Sequence, residues 1–399
     1  MGPPRRSPLR SPLRSPRPRT RAGSAALFAA ALALGVLAPL PAPPLVGGPA
    51  ADAGPPGPGT SIADFVRRTL PRDGGGTVLA ARGDEPAYCA GFGTADRAAG
   101  VAASCRTVYD LMSMTKQFTA AAILKLEVMG RLRVTDRIGR HLGPVPVPED
   151  KRGITVEHLL THTSGLVEGL GDDYDPVSRE ELVRGALASK LRSAPGTRFH
   201  YSDTGYSLLA AIVEKASGEG YEAFLARHLF APAGMRQTGY VLPRWPRRLV
   251  AVEYDERGRS RGRPFDHPWA ADGPYWNLRG NGGMLSTAED VLRWHRALLG
   301  EDVLPARARD KLFEPRVREP GSTSSYGYGW SVTDTPDGPF AWHDGGNDWS
   351  LGLLGRSPAD GVLVFWISNQ ASRAGGWNLE DVAQELTLGL VERVRAEGA

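Results

Sequence analysis

The sequence predicts an α+β fold, an α/β sandwich in which a mainly antiparallel sheet from both chain ends is flanked by helices and carries a large helical insertion. Two observations on the 399-residue chain predict it. Apolar or alternating segments typical of strands occur at 76–93 and then from 328 onward, and the stretch between them repeats its apolar residues at helical spacing. Strands at both ends of a helical stretch indicate one sheet assembled from distant segments.

The predicted elements follow in chain order. Strands are predicted at 76–81, 86–93, 328–333, 340–342, 351–354 and 362–368. Helices are predicted at 61–70, 115–129, 156–160, 180–191, 205–217, 221–229, 288–299 and 379–395. Residues 241–283 are predicted to form a long irregular excursion, and such loops are usually functional. The sheet part would cover about 61–112 and 325–399, and the helical part about 113–324.

Residues 1–53 have the pattern of a signal peptide and linker. Seven arginines within Arg5–Arg21 precede an apolar run, Ala25–Leu40, and a small-residue segment that contains Ala51–Ala53. The run is shorter than the roughly 20 residues of a membrane span, and an uncleaved N-terminal membrane anchor is the alternative. We therefore expect an exported chain, secreted, periplasmic or on the cell surface, with one domain at 54–399.

The net charge of +4 comes from this leader, because the first 51 residues contain seven arginines and no acidic residue. The rest of the chain gives no reason to expect a nucleic-acid partner. His158 and His162 are four residues apart, but Leu159 stands where the zinc motif H-E-x-x-H needs glutamate. The sequence therefore predicts no metal.

Two cysteines occur in the chain, Cys89 and Cys105, both outside the leader. In an oxidising compartment they could form a disulfide, since the glycine-rich segment between them resembles a hairpin. Two independent buried thiols are the alternative.

The strongest chemical signal is Ser113, followed three residues later by Lys116 at the start of an apolar helix. A serine hydroxyl is a weak nucleophile until a nearby base accepts its proton. Residues three apart share one face of a helix, so the lysine amine can reach the hydroxyl. Ser113 is therefore predicted to be a nucleophile and Lys116 its base.

Two further groups could complete a site. Tyr201 could relay a proton to a leaving group, although a packing tyrosine followed by Asp203 as a helix N-cap is the alternative. His343 begins a His-Asp-Gly-Gly segment on a late strand. Gly345 and Gly346 would let a substrate backbone approach, and a free N–H there could bind an oxyanion, with a tight turn as the alternative.

In this order the three groups resemble the motifs S-x-x-K, Y-x-N and K/H-x-G of the serine β-lactamase/penicillin-binding superfamily, nearest to class C β-lactamases and D-alanyl-D-alanine carboxypeptidases. Segments 159–166, 230–238 and 282–287 also resemble family signatures. The resemblance covers about residues 61–395. It implies a hydrolase that forms an acyl-enzyme on a small-molecule or peptide substrate, without a metal or other cofactor.

The resemblance also implies a role for each matching residue. Ser113 would be the acylated nucleophile and Lys116 its activating base. Tyr201 would pass protons to the leaving group and to the deacylating water. The N–H groups of Ser113 and Gly346 would form the oxyanion hole, and His343 would line the substrate cleft.

The chain departs from the family pattern at two positions. Asp203 replaces the asparagine of the second motif and, when ionised, can only accept hydrogen bonds, so it would pair with Lys116 and blunt it as a base. Asp344 stands where threonine or serine is common, and its charge should repel a substrate carboxylate. Both changes argue against an efficient β-lactamase and leave room for an esterase, an amidase or an aminopeptidase. A non-catalytic penicillin-binding-like protein that retains the fold is the alternative function.

Overall fold

The computed structural model describes residues 60–397. The signal peptide and linker predicted for residues 1–53 lie outside this range. Among the described residues, none of the helices combines the length and the apolar character needed to cross a bilayer.

The helices are numbered α1 to α10 along the described chain. They are α1 Ile62–Thr69, α2 Lys116–Val128, α3 Gly139–Leu142, α4 Val156–Leu160, α5 Arg179–Ala188, α6 Asp203–Ser217, α7 Tyr221–Leu225, α8 Ala288–Leu299, α9 Ala306–Phe313 and α10 Ala383–Glu397. The strands are β1 Gly75–Arg82, β2 Glu85–Asp96, β3 Val101–Ala102, β4 Tyr109–Asp110, β5 Glu253–Tyr254, β6 Ser260–Gly262, β7 Trp269–Ala270, β8 Gly273–Pro274, β9 Leu285–Ser286, β10 Val317–Arg318, β11 Ser325–Tyr326, β12 Ser331–Thr335, β13 Gly338–Gly346, β14 Leu351–Ser357 and β15 Val362–Ser368.

One nine-stranded antiparallel sheet organises the molecule, in the order β10-β11-β12-β13-β14-β15-β1-β2-β3. Strand β1 pairs with β15, with Val78 opposite Trp366, so the N-terminal hairpin joins the C-terminal strands. The edge strand β10 lies upstream of residue 325, the predicted start of the second sheet part. The predicted fold class, a sheet from both chain ends flanked by helices with a helical insertion, is confirmed.

Strand β15 shows how the sheet separates two apolar cores. Leu363, Phe365 and Ile367 belong to the core that the sheet shares with the helical part. The alternate residues Val364 and Trp366 belong to a second core with α1 and α10. Successive side chains of a strand point to opposite faces, and burial of both faces explains the continuous apolar run of β15.

Several element boundaries differ from the sequence predictions, and two of the differences have a clear structural cause. The first late strand was expected from residue 328 but begins at Ser331, because Tyr328 packs into the core beside the helices and its N–H binds the Leu312 carbonyl instead of a neighbouring strand. The closing helix begins at Ala383, after a separate 3₁₀ turn at Leu379–Asp381.

A disulfide joins Cys89 on β2 to Cys105, with Cα atoms 6.0 Å apart. The antiparallel pairing of β2 with β3 turns the chain back and brings the two cysteines together. The closed loop spans a sequence separation of 16 residues.

We expect replacement of both cysteines by alanine to lower the free energy of unfolding by about 3 kcal/mol, the loop-closure value for a cross-link of this length. Urea denaturation of the oxidised protein and of the C89A/C105A variant measures the difference. A reductant should reproduce the loss in the wild-type protein and leave the variant unchanged. Equal stability of the oxidised protein and the variant would contradict this prediction.

Candidate active site

Ser113 lies in a 3₁₀ turn, Met112–Thr115, that leads directly into α2. Met112 has a φ of 50°, in the left-handed region that is costly for a residue with a side chain. Its N–H donates a hydrogen bond of 2.6 Å to Oδ1 of Asp110 on β4, which helps to hold this turn. Burial and the nearby carboxylate of Glu253 raise the pKa of Asp110 to about 8. A strained, internally bonded turn therefore presents Ser113 at the start of the helix.

Lys116 lies one helical turn further on and is fully buried. Its Nζ is 3.1 Å from Oγ of Ser113 and 2.9 Å from the carbonyl oxygen of Asn281. The third partner is Oδ1 of Asp203, at 2.7 Å. A buried ammonium group requires such compensation, because the cost of removing a charge from water is large. Lys116 is thus placed to exchange a proton with Ser113.

Tyr201 completes the contacts around the nucleophile. Ser113 lies close enough to the Tyr201 hydroxyl to act on the pKa of the phenol, and Nζ of Lys116 lies 4.8 Å from the centre of the Tyr201 ring. Burial raises the pKa of Tyr201 well above its usual value, and the neighbouring Asp203 carboxylate adds to this effect. Tyr201 is therefore a neutral phenol that can donate a proton to a group leaving from Ser113.

Asp203 does not cap its helix, contrary to the alternative considered from the sequence. The N-cap of α6 is Ser202, whose Oγ accepts a hydrogen bond of 3.0 Å from the N–H of Gly205. Asp203 is the first residue of the helix, and its side chain is turned to Lys116. The two motifs predicted separately therefore meet through this ion pair.

His343, which the family resemblance implies lines the substrate cleft, is buried on β13, with its ring centre 6.4 Å from that of Tyr201. Its Nδ1–H donates to the Asp344 carbonyl at 2.6 Å, and its Nε2 accepts from the Tyr326 hydroxyl at 3.0 Å. Burial, with Lys116 nearby, lowers the pKa of His343 to about 3. Because both ring nitrogens are engaged internally and the ring is neutral, His343 supports the strand and offers a substrate no charge.

The end of β13 lies against the nucleophile turn. A Cβ atom on Gly345 would lie 2.7 Å from the Leu111 carbonyl oxygen and 3.1 Å from the Ser113 nitrogen, so this close approach requires glycine. Gly346, the last residue of β13, pairs with Leu351 on β14. Gly345 therefore brings β13 beside Ser113, where the oxyanion hole was predicted.

Acidic side chains lie near this site. The side chain of Asp344 is 32% exposed, and its charge contributes to the raised pKa of Tyr201. It acts in the same direction on Glu319, whose pKa is raised to about 7, mainly by burial. Asp344 therefore places negative charge near the phenol of Tyr201.

Sequence reasoning missed several contributors. Asn281 supplies the carbonyl that binds Lys116, and its side-chain amide donates to Ser207 at 2.8 Å. Asp110 and Tyr326 do not contact Lys116 but hold its neighbours. Asp110 binds the nucleophile turn through the N–H of Met112, and the Tyr326 hydroxyl binds His343. The position of Asn281, directly before the 282–287 signature in the irregular excursion, was the available signal.

Two other sequence patterns do not form competing sites. Within residues 60–397, no three His, Cys, Asp or Glu side chains are grouped so that they could hold a metal ion. Gly258–Gly262 has the letters G-x-S-x-G of a nucleophile elbow. However, Ser260 begins the short exposed strand β6 instead of a strand-to-helix turn.

Comparison with known proteins agrees with this arrangement. Residues 67–388 match the Beta-lactamase protein family. The chain is 32% identical over 286 residues to "Penicillin-binding protein 4*" of Bacillus subtilis, an alignment that covers 68% of this chain and 62% of that protein. It is 30% identical over 368 residues to "Esterase EstB" of Burkholderia gladioli, covering 81% of this chain and 91% of the esterase.

The fold has counterparts among solved structures. One is the octameric penicillin-binding protein homologue from Pyrococcus abyssi, with a TM-score of 0.69 and 26% identity over 82% of this chain and 77% of that one. Since the family match spans most of the chain and the fold and the serine–lysine pair agree with it, the chain belongs to the β-lactamase family.

Proposed function

We propose that this chain is an exported serine hydrolase that forms an acyl-enzyme on Ser113 with an ester, amide or peptide substrate. The observation that carries the proposal is the contact of Ser113 Oγ with Lys116 Nζ at 3.1 Å, with the phenol of Tyr201 as a neighbouring proton-transfer group. Family membership and the similarity to penicillin-binding proteins and an esterase support the same class of chemistry.

In the first half-reaction, Ser113 Oγ forms a bond to the substrate carbonyl carbon while its proton passes to an uncharged Lys116. The leaving group departs with the proton of the Tyr201 hydroxyl, and Lys116 returns a proton to the phenolate. In the second half-reaction, water attacks the acyl carbon and gives its proton to Lys116 and Tyr201 acting together. These two residues return a proton to Ser113 Oγ as it leaves, and the product acid is released.

The charges of the site favour substrates without a carboxylate beside the scissile bond. Asp344 contributes negative charge, and the neutral His343 does not offset it. An ester is the substrate class that fits best, because it has a better leaving group than an amide. It can therefore react with a less effective general base, such as a lysine paired with Asp203.

The Lys116–Asp203 ion pair also favours a second candidate, a non-catalytic penicillin-binding-like protein that retains the fold. At 2.7 Å the carboxylate stabilises the ammonium form that cannot accept the serine proton. A protein whose lysine stayed charged would bind ligands without turnover.

Export and partners are part of the proposal. The leader pattern of residues 1–53 supports delivery to the outside of the cell or to the periplasm, with a membrane anchor if it is not cleaved. The expected partner is a small-molecule or peptide substrate and not a nucleic acid. The chain spans 62% of the length of each of two B. subtilis penicillin-binding relatives, so their activities do not transfer as a whole.

We expect Ser113→Ala to abolish covalent labelling by a fluorophosphonate and to lower p-nitrophenyl ester hydrolysis at least about 1,000-fold, as for other catalytic nucleophiles. Intact mass and a chromogenic assay measure the two effects. Ser260→Ala, an exposed serine in the elbow-like pattern, is the matched control and should retain both. A wild-type protein with neither adduct nor turnover would support the non-catalytic alternative.

We expect Asp203→Asn to increase the acylation rate by penicillin or cephalosporin about tenfold, because the amide no longer stabilises the charged lysine. Stopped-flow acylation measures the rate, with Asp203→Glu as the charge-retaining control. A rate in Asp203→Asn at or below that of Asp203→Glu would show that the carboxylate does not limit Lys116.

We expect Asp344→Asn to lower KM for an anionic cephalosporin about fivefold, equivalent to the ~1 kcal/mol between two like charges 4 Å apart in water. KM for a neutral p-nitrophenyl ester should stay the same, which provides the control within the same variant. Parallel changes for both substrates would mean that Asp344 acts through structure and not through charge.

A further inference from the structure

His162 is a fully buried residue that the proposed mechanism does not use. It lies in the loop after α4 and has a φ of 57°, a left-handed conformation that is uncommon for a residue with a side chain. Such conformations persist where the surrounding structure holds them and are concentrated at functional sites. The contacts of His162 therefore require an explanation.

These contacts enclose Tyr201. The N–H of His200, immediately before Tyr201, donates to the carbonyl oxygen of His162 at 2.8 Å. The N–H of Ser202, immediately after Tyr201, donates to Nδ1 of His162 at 3.0 Å. One residue thus binds the backbone on both sides of Tyr201.

The imidazole ring also lies against the tyrosine ring. The ring centres of His162 and Tyr201 are 4.3 Å apart, at an interplanar angle of 32°. On its other sides the imidazole contacts Tyr326 at 4.6 Å and Tyr206 at 5.0 Å. Tyr206 is itself fixed by a hydrogen bond of 2.8 Å to the Leu160 carbonyl. The surrounding rings leave His162 little freedom to shift.

The hydrogen bond from Ser202 determines which nitrogen of the His162 ring carries the proton. Nδ1 can accept the N–H of Ser202 only when it carries no proton, so the proton of the neutral ring is on Nε2. Burial lowers the pKa of His162 well below its usual value, and Lys116 and His343 act in the same direction. The neutral ring is thus the form that belongs to this packing.

We propose that His162 is a positioning residue that holds Tyr201 against Ser113 by binding the backbone N–H groups on both sides of it. The inference rests on the proposed function, since it assigns His162 to the proton transfers of Tyr201. The role of the His162 side chain depends on the hydrogen-bond acceptor at Nδ1, because any residue at position 162 could offer its backbone carbonyl to the N–H of His200.

Two variants separate the acceptor from the rest of the side chain. His162→Asn places an acceptor oxygen near the position of Nδ1 and tolerates the left-handed backbone. His162→Phe keeps an aromatic ring beside Tyr201 and has no acceptor. His158→Phe is the matched control, because His158 also accepts a backbone N–H, that of Thr155, through its Nδ1.

The readout is the dependence of kcat/KM on the leaving group, measured with p-nitrophenyl acetate and phenyl acetate. Both esters give the same acetyl-enzyme, so kcat/KM reports the acylation step in which the leaving group departs. Phenolate needs protonation more than p-nitrophenolate does, so a displaced Tyr201 should slow the reaction of phenyl acetate selectively. We expect His162→Phe to lower kcat/KM for phenyl acetate at least tenfold more than for p-nitrophenyl acetate. His162→Asn and His158→Phe should keep the wild-type ratio. Loss of folded protein would lower the apparent activity toward both substrates equally.

A double-mutant cycle tests whether the effect passes through Tyr201. In a Tyr201→Phe background, His162→Phe should cause no further loss, since the hydroxyl that it positions is absent. Additive losses would overturn the proposal, as would an unchanged leaving-group ratio in His162→Phe. If His162→Phe does not fold, a loss in His162→Asn as large as that of Tyr201→Phe would also overturn it.

A crystal structure of each His162 variant keeps this test independent of turnover. We expect the Tyr201 hydroxyl to leave Ser113 in His162→Phe and to remain in His162→Asn. A Tyr201 that stays in place in both variants refutes the role of His162. An unreactive wild-type Ser113 refutes the proposed function instead.

Discussion

The buried charge of Lys116 is the constraint on which the rest of the site depends. An ammonium group without access to water requires partners on every side, and this chain supplies them from the nucleophile turn, from Asn281 and from Asp203. These partners lie in three segments of the chain, and Asn281 is 165 residues away from Lys116 in the sequence. Satisfying one charge therefore brings α2, the start of α6 and the end of the irregular excursion together.

Packing around this charge determines what the neighbouring groups can do. The close approach of Gly345 places β13 beside Ser113, and the buried rings of His162 and His343 remain neutral next to the lysine. The serine–lysine pair of the family thus lies beside the acidic side chains of Asp203 and Asp344.

Much of the fold and of the central chemistry was predictable from local patterns. Helix α8 and strand β15 were predicted with the ends that the structure shows, because the apolar residues of α8 recur at helical spacing and β15 is an uninterrupted apolar run. Contacts such as those of Asn281 and Tyr326 were not predictable. These contacts join residues far apart in the sequence, for which no spacing rule exists. The residues become neighbours only when the sheet and the helical part pack together.

The sequence by itself determined the family, the α+β architecture and the pairing of Ser113 with Lys116, since each depends on neighbours within a few residues or on a motif order. Only the tertiary structure decided which partner each side chain has. It turned Asp203 to Lys116 instead of to a helix cap, and it buried His343 with both ring nitrogens bonded inside the protein. The physical reason is that burial and charge compensation depend on segments distant in the chain, whereas propensity and spacing are local.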